Sequence, residues 1–477
     1  MRSVLLYNEA FVHAVGKYED IIELKSRKFD LISPKTRIRL ERANIDLENR
    51  QNTLNTKLES FDFPAIFSGI MSSKTADERK EVNFFEWRNT FMATRKHVLA
   101  YYKSKYGAWP PKASSKKNNL ETSGLNRLVV KDMYQDFSSL YDLLVDRSSL
   151  TNRTIGTAVD DASDIGEPTA RALRRVLDEY DRSTPPVQPP IPFDIPLLPT
   201  IATTRPEYGR DAKRDAKLRA KKLKDDEIER ILKATYNPDS SIAVPFMDAF
   251  KYHERKLAHG GTIDDLRSQR CGLWIFVYAV LQSLPMLVVD APQIQFTQGV
   301  EYFLCEPPRS GVPWARTDTE SGTRALYAIA GSSGAVVSLP SDVIEHGVEG
   351  VFKRSHCWDM ARKWAGQFDQ SDPTTAGQLS TIDGPLPPPP SVVPAALSPG
   401  MRPRTASPAD RSKRNSIMML GLEQLPVPQG VVPQDEGRPA SRGRALEPDP
   451  TKTFDAIIGG METPLPSSEK SKKKNKK

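Results

Sequence analysis

Gly272–Val289, GLWIFVYAVLQSLPMLVV, is the longest apolar run in the chain. It reaches the minimum of about 18 residues that a membrane-spanning helix needs. Gln282, Ser283 and Pro285 interrupt it. A proline pushes the residue before it out of helical geometry. The run therefore divides into a helix from about Leu266 to Leu284 and a short buried strand, Met286–Val289. That is a core element of a soluble domain, and it predicts no membrane span.

The rest of the chain is read around this core. Over 477 residues, enough for two or three domains, only 38% are hydrophobic and 39 are proline. A folded part diluted by disordered, Pro-rich segments has this balance. Residues 1–183 carry a helical pattern. Phe11, Val12, Val15, Tyr18, Ile22 and Leu24 recur near helical spacing, and Ser33-Pro34 ends that segment. From Lys35 a long amphipathic helix follows, with Ile38, Leu40, Ile45, Leu47, Leu54 and Leu58 on or near one face. VNFFEWRNTFMATRKHVLAYYKSKYG, residues 121–146 and ARALRRVLDEY supply three more helices.

Residues 184–206 have a proline every few positions and no helical period, the pattern of an extended linker or strap. Ile191, Phe193, Ile195, Leu197 and Leu198 favour a strap that docks. Residues 207–369 are expected to be α+β and packed with the first region. They begin with one charged helix over 207–236 and a second from Asp239 to Leu257. Then VEYFLCEPP, TRALYAIAG and GAVVSLP read as the strands of a small sheet. One or two helices over 342–368 close the fold. Residues 370–477 lack periodicity and cannot bury enough apolar area to offset chain entropy, so a disordered tail is expected. The fold class is thus mainly α, with an α+β second half.

The 68 basic and 60 acidic residues leave a net charge of +8, a solubilising mixture rather than a nucleic-acid signature. Cys271, Cys305 and Cys357 form no CxxC pair and are odd in number, which fits reduced thiols inside a cell. MRSVLLYNEAF is too short and too polar for a secretory or mitochondrial address. Asn152-Arg153-Thr154, a glycosylation pattern, is then irrelevant. A cytoplasmic location is expected, with the nucleus as the alternative.

LYNEAFVHAVGKYEDI, YYKSKYGAWPPKASSKKN, SGLNRLVVKDMYQDFSSLYDLLVDRSSL, FVYAVLQSLPMLVVDAP, GVEYFLCEPPRSGVPW and RSHCWDMARKW together resemble an uncharacterised family of large filamentous-fungal proteins, a domain of unknown function. The resemblance covers most of residues 5–367. It implies a fungal origin and no particular activity. Family members carry a further region before the counterpart of Leu6, so it also implies a shortened form or gene model.

Each candidate site has a plainer reading. His253-Glu254 and His259 are six apart, where a zinc helix needs histidines four apart, and Leu257 fills the required place. A charged helix face explains them. His356-Cys357 suggests a thiol–imidazole pair, but neighbours on a helix point about 100° apart. Core packing of Cys357 among Val351, Phe352, Trp358 and Trp364 is favoured. Gly331-Ser332-Ser333-Gly334 lacks the lysine and helix of a phosphate loop and reads as a hairpin turn.

Two basic clusters remain. Arg210–Lys224 includes Lys213, Arg214, Lys217, Lys221 and Lys222; it could dock on acidic lipid, nucleic acid or a nuclear import receptor, but a solvated helix is the favoured reading. It has no aromatic residue for base stacking, and Asp225 and Asp226 follow as offsets for Lys224 and Lys222. The tail end holds Lys472, Lys473 and Lys474, a like-charge run that serves nuclear import or an acidic contact, or simply keeps a tail soluble.

No catalytic, cofactor or metal motif is present in the sequence. The expected function is a non-catalytic interaction or scaffold protein with unknown protein partners and no cofactor. The alternatives are an enzyme whose site is built from sequence-distant residues and, more weakly, a nucleic-acid-binding protein. In the tail, Ser407 lies between Arg404 and Pro408, and Ser416 follows Lys413-Arg414. Phosphate added there would change the charge beside a basic stretch. Brief proteolysis is expected to leave a stable fragment ending near residue 370, and phosphopeptide mapping to find Ser407 or Ser416 occupied in cells. A protease-resistant tail would refute the disorder.

Overall fold

Thr262 opens the helix that the apolar run predicts. Its hydroxyl accepts from the Asp265 N–H (3.3 Å), and the Asp265 carboxylate accepts from the Thr262 N–H (2.9 Å). Two first-turn donors are satisfied reciprocally. In this computed structural model the described residues are 3–66, 82–150, 168–183, 188–238, 244–308, 312–314, 324–328, 336–340 and 345–368. All of them fall in one compact unit, Met1–Gly421; the second unit, Leu422–Lys477, lies outside the described residues.

The described helices in chain order are α1 (Val4–Gly16), α2 (Tyr18–Glu23), α3 (Arg27–Asp30), α4 (Pro34–Leu58), α5 (Phe84–Tyr106), α6 (Arg127–Leu144) and α7 (Pro168–Ser183). After a 3-10 turn at Ile201–Thr203 come α8 (Ala212–Ala220), α9 (Asp225–Ala234), α10 (Pro245–Ala258), α11 (Ile263–Ser283) and α12 (Pro285–Val288). Two strands, β1 (Arg324–Ala328) and β2 (Val336–Pro340), precede α13 (Val348–Lys353) and α14 (His356–Phe368).

Every residue of α11 from Gln269 to Gln282 is buried. A helix apolar on all sides must be enclosed, and α5, α6, α7 and α10 enclose this one. The closest crossing is with α5. A Cβ on Gly272 would lie 2.6 Å from the Trp87 carbonyl oxygen and 2.8 Å from the Thr90 Cβ. Only a hydrogen fits there. Phe91, Phe137, Phe61 and Phe63 ring the Phe276 side chain, with centroids 5.1–6.4 Å away.

The polar groups of α11 recruit partners from distant segments. The wholly buried Arg270 donates to Glu254 (2.6 Å), to the Leu197 carbonyl (2.8 Å) and to Thr235. Tyr278 donates to Asp181 (2.6 Å), and Gln282 donates to Asp181 (3.0 Å) and the Pro189 carbonyl (2.6 Å). These bonds pin residues 188–200 onto the core. The Leu197 N–H also donates to the Leu144 carbonyl (2.7 Å), and Trp274 donates to the Asp194 carbonyl (2.8 Å). Ile191, Phe193 and Ile195 are buried beneath. A smaller cluster of Leu223, Ile228, Ile231, Leu232, Ala258, Ile263 and Leu266 unites α9 with the ends of α10 and α11.

Several expectations are corrected. Met286–Val289 is not a strand: α12 occupies it, with Pro285 at the first helical position, where a missing N–H costs nothing. VEYFLCEPP is not a strand either, and it buries Phe303 and Leu304 without regular structure. The second half is therefore helical rather than α+β. Among the described residues the strands are confined to the antiparallel pair β1–β2, besides isolated bridges Val145–Pro196 and Leu150–Phe193. The single charged helix over 207–236 is two helices, because the chain extends at Lys221 and Leu223 docks on the Gly261 carbonyl (3.0 Å).

Gly272→Ala is expected to lower stability by about 1–3 kcal/mol through overpacking at the α5–α11 crossing. A reduced urea midpoint with an unchanged slope would show it. An unchanged midpoint would mean that these helices are not in contact at Gly272.

Candidate functional site

The basic cluster sits on α8 and the turn after it. Asp211 caps the helix, accepting from the Lys213 N–H (3.0 Å), and Asp215 turns back to accept from the Gly209 N–H (3.0 Å). Glu207 holds Arg214, Glu227 holds Arg205 (3.2 Å) and Asp264 holds Arg219 (2.9 Å). Asp225 pairs with His259 (2.8 Å) rather than with Lys224. The carboxylates of Asp211, Asp215, Glu207, Glu227, Asp264 and Asp225 are thus engaged with other partners. Among the described residues Lys213, Lys217, Lys221 and Lys222 are exposed with no carboxylate in ion-pair reach. Lys213 and Lys217 share a face of α8, and Lys221 and Lys222 continue beyond its end. Ser407, Ser416, Lys472, Lys473, Lys474 and the Gly331–Gly334 turn lie outside the described residues.

The thiols are sequestered. Burial pushes Cys271 up to about 12 and raises Cys305 and Cys357 as well. A thiol held protonated is a poor nucleophile and a poor ligand. The His356 Nε2 lies 2.9 and 3.0 Å from the Asp142 carboxylate oxygens, turned to that partner. No group of three His, Cys, Asp or Glu able to hold a metal occurs among the described residues.

His253 and Glu254 do not form the charged surface that their sequence suggests. α10 lies against α5, α6, α9 and α11, and His253 and Glu254 are on its buried side while Asp248, Tyr252, Arg255 and Lys256 are exposed. Glu254 is buried and accepts from Arg270 and from the Tyr236 hydroxyl (2.7 Å). His253 stacks on His97 of α5 with ring centroids 4.3 Å apart and planes 8° from parallel. The Thr94 hydroxyl approaches its Nε2 (3.5 Å), and the His97 Nε2 is buried without a hydrogen-bond partner. Burial, then the proximity of His97 and Lys256, lowers His253 to about 4. His97 is lowered too, chiefly by burial.

Two further ionisable clusters escaped the sequence reading. Lys105 lies 2.6 Å from Asp132 and 3.3 Å from Asp136, beneath the Tyr101, Tyr102 and Tyr106 rings. Burial raises Asp136 to about 6, against the pull of Lys105. The second cluster is a chain from Glu9 to His13 (3.1 Å) to the Tyr302 hydroxyl (2.9 Å). It borders a depression of about 500 Å³ lined by His13, Gln295, Phe296, Gln298, Val300 and Tyr302. Carboxylate, imidazole and phenol in that order can pass a proton. Glu9 also accepts from the Gln295 and Phe296 N–H groups (2.9 and 3.0 Å). Burial alone would raise its carboxyl, but those donors and His13 outweigh it and hold the group below the usual range. The four-residue spacings Glu9/His13 and Asp132/Asp136 were visible signals; Tyr302, on a remote segment, was not.

The surface offers a different kind of site. Among the described residues twelve large apolar side chains stand out as exposed, and eight of them lie between residues 4 and 45: Val4, Leu5, Leu6, Ile22, Leu24, Leu31, Ile38 and Ile45. The periodicity reading of α4 is corrected here: Leu40, Leu47, Leu54 and Leu58 are buried, while Ile38 and Ile45 face outward. No helix among the described residues is long and apolar enough to cross a membrane.

A family model described as a domain of unknown function (DUF8004) matches residues 1–63, so this segment is similar to an uncharacterised family. No curated protein and no solved structure matches the chain. The matched segment ends at Phe63, just beyond α4, and so contains α1 to α4 and all eight of those exposed residues.

The histidine stack predicts a pH dependence. His253 is neutral in the folded chain down to about pH 4, whereas an unfolded imidazole binds its proton near 6.5. Stability is therefore present above about 6.5 and falls as pH drops toward 4, by up to about 3 kcal/mol. Asp136 acts oppositely, because its raised carboxyl contributes stability below about 4 that is lost as pH rises through 6. His253→Phe should reduce the acid-side loss in melting temperature, and Asp136→Asn should remove the opposing slope. Identical pH profiles for His253→Phe and the wild type would dismiss the stack as a titrating element.

Proposed function

We propose that the chain is a non-catalytic interaction or scaffold protein that docks through its N-terminal helices. The carrying observation is the concentration of exposed large apolar residues on α1 to α4. Scattered apolar side chains are ordinary on a protein surface, but a local excess marks an interaction surface. Ile38 and Ile45 are seven apart on α4, opposite the buried leucines, so the outward face repeats with the helix. A partner covering such a face gains about 25 cal/mol per Å² of apolar area removed from water. On this reading the chain works inside the cell, in the cytoplasm or nucleus, as a member of the filamentous-fungal family that it resembles. The tail over 370–477 supplies modifiable sites such as Ser407 and Ser416.

A second reading, an enzyme with sequence-distant residues, rests on the Glu9–His13–Tyr302 chain beside its depression. Nucleic-acid binding rests on the free lysines of α8 and predicts steep salt dependence.

Affinity capture with the tagged full chain tests the main reading. Ile38→Arg/Ile45→Arg should lose specific partners while keeping the wild-type melting temperature, since both positions are about half exposed. Unchanged partners in this variant, together with loss in Tyr302→Phe or in Lys213→Gln/Lys217→Gln, would transfer the function to one of the other two surfaces.

A further inference from the structure

The two most protruding leucines of the described chain are Leu31, 85% exposed, and Leu24, 74% exposed. Each follows the last residue of a short helix, Leu24 after α2 and Leu31 after α3. The segment that carries them is anchored. Phe29 and Ile32, on either side of Leu31, pack against the main core, as does Tyr18 at the start of α2. The Arg37 guanidinium sits over the Phe29 ring at 5.1 Å and donates to the Phe29 carbonyl (3.2 Å). Ser26 caps α3, and Ser33 caps α4. The leucines are thus presented outward by a fixed backbone.

The charges around them are sorted. Asp30 faces Arg37 at 3.6 Å. Lys25, Arg27, Lys28 and Lys35 are exposed and have no carboxylate in ion-pair reach among the described residues. Just before this stretch, Glu19 and Glu23 of α2 are exposed acidic residues without such a pair. Four exposed basic residues, Lys25, Arg27, Lys28 and Lys35, therefore flank the two protruding apolar tips along the chain.

We propose that this edge, Leu24 to Lys35, seats the protein on an anionic lipid bilayer. The proposal rests on the N-terminal helices being an interaction surface and names what one edge of that surface binds. A helix-binding groove needs walls, and a leucine that is 85% exposed has no neighbour to supply them. A bilayer interface takes in convex apolar tips, and its anionic headgroups match flanking lysine and arginine. With no spanning helix among the described residues, the attachment is peripheral and reversible.

Co-sedimentation of the purified full chain with vesicles tests this without any protein partner, so it can fail while the capture experiment succeeds. Binding is expected to vesicles of phosphatidylcholine with about a third phosphatidylserine, not to phosphatidylcholine alone, and to weaken with salt. Lys25→Gln/Arg27→Gln/Lys28→Gln should weaken it about a hundredfold, near fivefold per charge. Leu24→Ser/Leu31→Ser should weaken it at least tenfold with an unchanged melting temperature. Three results would overturn the proposal. One is no preference for anionic vesicles. Another is unchanged binding by the leucine variant. The last is binding lost only when Lys213, Lys217, Lys221 and Lys222 become Gln, which would move the contact to α8. If the leucine variant changes the oligomeric state of the chain in solution and not its vesicle binding, the tips belong to a protein interface instead.

Discussion

The arrangement depends on the complete burial of α11. Most helices in a folded domain need one covered face, but this one needs cover on every side from Gln269 to Gln282. Four helices and the 188–200 segment provide it. Its few polar groups then dictate where remote parts of the chain must lie. Arg270 cannot be buried without Glu254, Thr235 and the Leu197 carbonyl, since an unpaired buried guanidinium would cost several kcal/mol. Tyr278 and Gln282 likewise require Asp181. The apolar run supplies the cohesion, and its polar exceptions supply the addresses.

The ionisable groups away from the surface clusters mostly serve this assembly. Glu301, partly covered, accepts from the Glu121 and Thr122 N–H groups (both 2.8 Å) and from Asn126 (3.0 Å), which ties two loops together. Arg127, wholly buried, reaches Asp290 (2.6 Å) and the Thr297 carbonyl (2.6 Å) on the segment after α12. Such groups have partners aimed at them from fixed backbone, and that is a structural use of charge. The α8 lysines and the basic residues beside Leu24 and Leu31 stand apart, because they are exposed and make no ion pair among the described residues.

The sequence disclosed the central helix because its start and stop are local. Thr262 with Asp265 caps it, and Pro285 ends it. It disclosed much less about facing. In α4, Ile38 and Ile45 share a seven-residue spacing with Leu40 and Leu47, so the periodicity accommodated both pairs, and only packing against α1 decided which was inside. His253 and Glu254 look like surface residues until a remote Arg270 and His97 are known. Met286–Val289 carries β-forming residues, yet four residues after a proline complete one helical turn and need no sheet partner. The same limit hid Tyr302, whose partner His13 lies at the other end of the described chain. Most of these failures are ones of long-range context; the local signal that was read correctly is the proline that stops the central helix.

The crossing at Gly272 has a consequence for biosynthesis. Thr90 and Gly272, which touch there, are separated by roughly 180 residues of chain. At a translation rate of about 5–20 residues per second, α5 leaves the ribosome about 10–40 s before α11 exists to cover it. During that interval Trp87, Phe91, Val98 and Tyr102, all later buried, have no partner on α11. The nascent chain must therefore be kept from aggregating for longer than its final compactness suggests. Its yield in a cell should respond to chaperone supply and to the speed of translation between residues 106 and 283.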